Sequence, residues 1–220
     1  MPSSESTCWT VIRAAAAGSP ADRDELARRY LAVVRAYLAA RWRGPPLRPD
    51  LDDAVQEVFV ECFRQGGALE AAGAGRVPSF RAFLSGVVRN VGRRFESRPA
   101  PAAAPLPEVP ADEESLPRLF ERTWAQALMT EAAQLQQRRA SERGPEAVRR
   151  VELLRLRFEE GLPIRAIAER WGVAAAELHH AYAKARQEFR ADLLEVVVFH
   201  HPGSRAEVEQ EAASLLAALS

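Results

Sequence analysis

Lysine is almost missing from this 220-residue chain: Lys184 stands alone, and every other basic residue is arginine. Codon usage of a GC-rich genome is the commoner cause and fits the abundant alanine and proline; selection for arginine–phosphate contacts is the alternative. Net charge is missing too. Thirty acidic residues balance thirty basic ones, which argues against a free-standing, strongly basic coat for DNA, although basic charge can still be concentrated locally. Cysteine is limited to Cys8 and Cys62, far apart, outside any CxxC spacing and away from histidine, so neither a disulfide framework nor a zinc site is expected. No apolar run approaches spanning length, and Met1 to Glu5 has no basic start, so the expectation is a reduced, cytoplasmic protein without a membrane partner. There is no Gly-rich phosphate loop, nucleophile motif or metal-ligand spacing, so neither an enzyme nor a cofactor is expected. His179-His180 and His200-His201 are adjacent pairs, which on a helix point about 100° apart and do not chelate one ion.

What is present is helical periodicity. The chain is 47% hydrophobic and 27% charged, ordinary for a globular protein, and no segment alternates as a strand would. The predicted class is all-α. Ser19-Pro20 is an N-cap followed by proline at the first helical position; Leu26, Tyr30, Val33, Val34, Tyr37 and Leu38 then line one face, up to the Gly44-Pro45-Pro46 break. A second helix starts at the Asp50/Asp52 cluster with Leu51, Val55, Val58, Phe59 and Cys62 inward. A glycine- and alanine-rich loop runs from Gly66 to Gly75. Ser79 caps a third helix with Phe80, Phe83, Leu84, Val87, Val88 and Val91 inward.

Residues 99–114 contain Pro99, Pro101, Pro105, Pro107 and Pro110, which forbid helix and favour a semi-rigid spacer. The expected organisation is therefore a helical domain over 1–98, the linker, a second helical domain over 115–195, and a C-terminal helix over 196–220. In the second domain, Leu119, Trp124, Leu128, Ala132 and Leu135 suggest one helix and Pro145 to Phe158 another. Ser204 to Glu207 forms a capping box that opens the last helix, with Val208, Ala212, Leu215 and Leu219 inward.

Charge is segregated by segment. Asp50 to Glu70 holds six acidic residues against Arg64 alone, and Asp53, Glu57 and Glu61 recur at a spacing of four, one stripe along a helix. Like charges at that spacing repel, so the stripe does not serve helix stability; it is either a solvated face or a docking surface for an arginine-bearing partner. Arg76 to Arg98 inverts the sign, with six arginines against Glu96. Arg81, Arg89 and Arg93 share a face with Ser85, and Phe80 and Phe83 lie near its start. Arginines interleaved with rings suit single-stranded nucleic acid; the arginines read as phosphate contacts and the two phenylalanines as core.

Leu153 to Arg190 holds two short helical patterns separated at Trp171-Gly172-Val173. Ile164, Ile167, Ala168 and Trp171 form the apolar face of the first; Leu178, Tyr182, Ala185 and Phe189 form that of the second. Ala175, Ala176, His179, His180, Ala183 and Lys184 are left facing outward. This is the helix-turn-helix arrangement, whose second helix is free to enter a major groove.

Taken together, these segments resemble the extracytoplasmic-function (ECF) sigma factors of bacterial RNA polymerase. Asp52 to Val60 (DDAVQEVFV) is similar to that family's DLVQEVFL segment, and Phe80 to Asn90 (FRAFLSGVVRN) to its FRAWLxxIARN segment. Leu153 to Leu162 (LLRLRFEEGL) and Ile167 to Val173 (IAERWGV) resemble its VLRLRxxEGLs and IAexLGi segments, in the same order, across roughly residues 10 to 195. Thr7 to Arg13 and the helix from Glu207 to Leu219 resemble a subgroup common in planctomycetes. The resemblance implies two helical domains. The first docks on the clamp helices of the beta-prime subunit and melts the downstream promoter element; the second reads the upstream element near the beta flap. It implies core RNA polymerase and promoter DNA as partners, with an anti-sigma factor as a further candidate.

By position, Asp53, Gln56 and Glu57 match the polymerase-docking segment, and Glu61 continues their acidic stripe as a further candidate docking residue. Arg89, Asn90, Arg93 and Arg94 match the part that handles promoter DNA, to which the stripe adds Arg81. His179, His180, Lys184 and Arg186 match the DNA-facing side of the recognition helix, to which its outward face adds Ala175 and Ala176. Three positions depart from the pattern: Phe83 stands where tryptophan is frequent, Ala174 where a Ser or Thr cap is usual, and His179 where Lys or Arg is usual. A missing cap costs about 1 kcal/mol. Two other classes compete with the sigma reading. A stand-alone helix-turn-helix regulator leaves the acidic stripe unexplained, and a helical adaptor without DNA binding accommodates the departures at Ala174 and His179.

Overall fold

A computed structural model of the protein describes residues 8–42, 50–64, 79–98 and 115–219. The Gly44-Pro45-Pro46 break, the loop from Gly66 to Gly75 with neighbouring Arg76, and the proline-rich linker 99–114 lie outside them. The described residues are all-helical: α1 (Cys8–Ala16), α2 (Pro20–Arg41), α3 (Leu51–Phe63), α4 (Phe80–Glu96), α5 (Ser115–Arg143), α6 (Pro145–Phe158), α7 (Ile164–Trp171), α8 (Ala175–His200) and α9 (Arg205–Ala218). None of these helices is long and apolar enough to cross a membrane. The chain divides into two compact units, one reaching to Ala127 and resuming at Val198, the other Leu128–Val197.

In the first unit, α2 packs on α1 and α3, and α3 packs on α4. The boundaries follow from local chemistry. Gly18 takes φ 99°, a conformation open to glycine, and turns the chain out of α1. The Ser19 hydroxyl then accepts a hydrogen bond from the Asp22 amide at 3.4 Å, with Pro20 in the first turn. All six apolar residues expected on the inner face of α2 are buried. So are the six expected on α4, whose start is fixed by the Ala82 amide donating to the Ser79 hydroxyl at 3.1 Å. In α3, Val55, Val58 and Cys62 are buried as expected, whereas Leu51 and Phe59 are only half-buried and Ala54 takes a core position.

The first turns of α5 contribute Leu116, Phe120 and Trp124 to this core, while Leu119, expected inward, is half-buried. Tyr30 is the hub: its ring stacks on Trp124 at 5.4 Å and meets Phe80 at 4.7 Å. Its hydroxyl shares hydrogen bonds with Nδ1 of His200 (2.9 Å) and Sγ of Cys8 (3.2 Å). The capping box of α9 forms as expected: the Glu207 amide donates to the Ser204 hydroxyl, and the Ser204 amide donates to the Glu207 carboxylate at 2.7 Å. Val208, Ala212 and Leu215 are buried below it.

In the second unit, Leu153, Leu156, Ile167, Ala168 and Leu178 form a core that joins α6, α7 and α8. Leu162, Ile164, Trp171, Val173 and Tyr182 pack around it. The α8 helix does not stop near Arg190, where the short pattern ends, but continues to His200. Its extension buries Leu193, Val196 and Val197.

Candidate nucleic-acid and partner interfaces

The turn between α7 and α8 is set by one glycine. Gly172 sits in the left-handed region (φ 62°, ψ 36°), where a Cβ costs about 1 kcal/mol or more. Its amide donates to the Glu169 carbonyl at 3.2 Å, and the Val173 amide donates back to the Ala168 carbonyl at 3.1 Å. These paired bonds are the Schellman termination, with the Val173 side chain seated on the core. The chain thus re-enters a helix at Ala175 after three residues, carrying Leu178 and Ala185 inward.

Ala176, His179, His180, Ala183, Lys184 and Arg186 are exposed on the opposite side of α8. Ala175 is half-buried rather than outward as expected, because the first turn of α8 packs against the core of Leu153, Leu156, Ile167, Ala168 and Leu178. The Arg186 guanidinium lies 5.8 Å from the centroid of the Tyr182 ring.

Side chains hidden from the pattern hold this helix in place. Arg150 donates twice to the Glu188 carboxylate, at 3.0 and 2.8 Å. Arg139 grips Asp192 and also donates to Glu195 at 2.7 Å. Gln136, buried, donates to the Ala185 carbonyl at 3.1 Å. The hydrogen bonds from Arg150 lower the Glu188 carboxyl below its ordinary value. Sequence periodicity does not mark Gln136, Arg139 or Arg150, since each is a polar residue that gains a partner 38 to 53 positions away.

In the first unit, the acidic stripe and the basic face meet. Asp53 and Gln56 are exposed on α3, and Asp53 has no ion pair among the described residues. Glu61 and Glu57 face Arg94, at 3.1 and 3.6 Å, and Glu61 also faces Arg64 at 3.1 Å. Beside the stripe lies a shallow groove of about 520 Å³ between α2 and α3, lined by Ala27, Gln56, Phe59, Val60, Phe63 and Arg64. Val60 is 48% exposed there, and Arg23 lies 5.6 Å over the Phe63 ring. This apolar component escaped the sequence reading, which placed Phe59 in the core. The signal was available in Val60 and Phe63, which fall off the face defined by Val55, Val58 and Cys62, with Phe59 at its edge.

Along α4, Arg89 and Asn90 are exposed, and Arg89 forms no ion pair among the described residues. Arg93 and Arg94 stand exposed in its last turn, where the negative end of the helix dipole favours cations. Arg94 is engaged with Glu61, and Arg81 with Glu211 at 2.6 Å and Glu121 at 3.2 Å. Of the five α4 residues expected to handle DNA, Arg89, Asn90, Arg93 and Arg94 are exposed and Arg81 is half-buried. Phe80 and Phe83 are 4% and 7% exposed; they are core residues, and stacking of bases on them is closed off. Arg98 lies 3.7 Å over the Phe95 ring and extends the basic end beyond the helix.

The histidine pairs separate. His179 and His180 are on the outward face of α8, His200 is buried against Tyr30, and His201 is exposed. Among the described residues no group of three His, Cys, Asp or Glu side chains could hold a metal ion. No protein-family model matches the chain, and a search of curated proteins returned no match.

Proposed function

We propose that this protein is a cytoplasmic sigma subunit that binds core RNA polymerase and directs it to promoters. The observation that carries the reading is the α7–α8 pair. A Schellman turn at Gly172 presents an α8 face of exposed His179, His180 and Lys184, the placement a recognition helix needs to reach base edges in a major groove. Arg186 flanks that face and serves as a phosphate contact. Three basic residues against two acidic ones between Ala175 and Arg190 give weak attraction to free DNA. That suits a subunit that reads promoters only as part of a larger assembly.

The first unit supplies the other two activities in this reading. Asp53, Gln56, Glu57 and Glu61, with the apolar groove at Phe59, Val60 and Phe63, present acid beside hydrocarbon to a basic helical partner on the beta-prime clamp. Buried apolar contact supplies affinity there, and the rim charges set orientation and on-rate. Arg89, Asn90 and Arg93 handle the phosphates of the opened downstream element. A stand-alone regulator has no use for the first of these surfaces.

The test is assembly with purified core polymerase, followed by gel filtration. Wild type is expected to co-elute, while Asp53→Arg with Val60→Glu is expected to remain free and keep its helical circular dichroism, since both side chains are exposed. Co-elution of the double variant at wild-type affinity assigns docking to another surface; failure of the wild type to co-elute rejects the sigma reading.

A further inference from the structure

Arg81 is placed where an arginine raises local demand for an anion. It lies in the first turn of α4, at the positive end of the helix dipole, and that turn contains no acidic residue. The demand is met from within the chain. Glu211 of α9 approaches Arg81 at 2.6 Å and Glu121 of α5 at 3.2 Å. The Glu211 side chain is 18% exposed, and that of Arg81 is 29% exposed. Two carboxylates therefore occupy the guanidinium that begins the arginine face of α4.

The placement of Glu211 is built rather than incidental. It flanks the buried face of α9, one residue before Ala212, three after Val208 and four before Leu215, all buried. The capping box at Ser204 and Glu207 fixes where α9 begins. The preceding residues are tied down by the hydrogen bond between His200 and Tyr30 and by Arg29, 4.2 Å over the Phe199 ring. Leu216, on the flank of that face away from Glu211, is 47% exposed. A three-residue apolar face is a small anchor for 14 residues, and such elements open before the global fold does.

We propose that α9 is a tethered acidic blocker of the basic face, with Glu211 and Glu121 standing in for nucleic-acid phosphate at Arg81. The proposal rests on the reading of α4 as the surface that handles single-stranded promoter DNA. With the clasp closed, Arg89 and Arg93 offer a short, weak phosphate track. When α9 lifts, Arg81 loses its nearer partner Glu211 and keeps only the more exposed Glu121 of α5, which phosphate can displace, so that Arg81 joins the track and adds one phosphate contact.

The experiment measures binding of a fluorescent oligothymidylate to the full-length protein across a salt series. It compares wild type, Glu121→Gln with Glu211→Gln, Arg81→Ala, the triple combination and Arg89→Ala, each first checked for native helicity. The double glutamine variant is expected to bind about fivefold tighter at about 0.05 M salt, with a log–log salt slope steeper by about 0.7, one phosphate contact on a single strand. In the Arg81→Ala background the two glutamines are expected to change nothing, which separates release of Arg81 from a general loss of negative charge. Unchanged binding by the double variant, or tightening that survives Arg81→Ala, overturns the blocker. Arg89→Ala reports the underlying reading independently: it weakens binding if α4 tracks phosphates, even where the blocker fails, and leaves binding unchanged if that reading is wrong.

Discussion

Arg41, buried at the end of α2, donates from Nε and Nη2 to the two carboxylate oxygens of Glu96 at the end of α4, at 2.6 and 2.8 Å. The Trp42 indole donates to the same carboxylate at 2.9 Å, so three donors converge on one acceptor from 54 or 55 residues away. Gly92 lies against this pair: a Cβ there would meet Arg41 Nε at 3.4 Å, an ordinary van der Waals contact. The arrangement fastens the C-terminal ends of two helices whose other faces carry the candidate docking groove and the candidate DNA track.

Breaking that pair from one side leaves a buried charge unpaired, which costs about 3 kcal/mol or more. Burial works to raise the Glu96 carboxyl, but the hydrogen bonds from Arg41 and Trp42 overcome it and hold it below its ordinary value. A depressed carboxyl contributes stability that is present above the unfolded value, about 4.3, and is lost as pH falls through the folded value. Urea denaturation of Glu96→Gln is therefore expected to show a large deficit at pH 7 that shrinks towards pH 3. A constant deficit across that range assigns the cost to packing rather than charge.

Asp192 has the opposite sign. Burial, the largest effect, raises its carboxyl above the ordinary value despite the pull of Arg139, and its Oδ2 has no hydrogen-bond partner. The stabilising protonated form is complete below the unfolded value, about 3.9, and its contribution is lost as pH rises through the folded value. Asp192→Asn is expected to gain stability relative to wild type between pH 4 and pH 7, with Arg139 retaining Glu195. Denaturation midpoints at the two pH values check this; a relative loss towards pH 7 contradicts it.

Both thiols are buried, and burial pushes that of Cys62 up to about 12. Thiolate is the reactive form, so the folded protein is expected to react with a thiol reagent only on the timescale of opening. Modification of Cys62 is expected to accelerate in denaturant. Rapid labelling of Cys62 under native conditions contradicts its placement on the inner face of α3.

Replacing Arg89 and Arg93 by alanine is expected to leave polymerase association intact while reducing permanganate reactivity of promoter thymines several-fold. An unchanged reactivity pattern moves strand opening to another surface.

The helical class, the N-caps at Ser19 and Ser79, the capping box at Ser204 and the α6 boundaries were legible because each is a local signal within four or five residues. The inward faces of α2 and α4 were legible because their apolar residues recur at helical spacing. Polar contacts across the fold were not. Nothing in the sequence pairs Arg41 with Glu96, Tyr30 with His200, or Arg81 with Glu211, since an arginine on an amphipathic helix has the same periodicity whether it meets solvent or a carboxylate. The same ambiguity made Arg81 look like a free member of the basic stripe. Phe59 was read as core because it shares helical spacing with Val55 and Cys62; it is half-buried and lines the groove with Val60 and Phe63 instead.

The most direct test of the account is transcription by core polymerase from a library of upstream promoter elements, with and without this protein. Wild type is expected to confer initiation on a defined subset. His179→Ala and His180→Ala are expected to change the ranking within that subset, because a neutral imidazole offers one donor and one acceptor to base edges. Lys184→Ala is expected to lower all members alike and reduce the salt dependence. Initiation that is independent of the added protein contradicts the proposed function, and an unchanged ranking with both histidine variants contradicts base reading by α8.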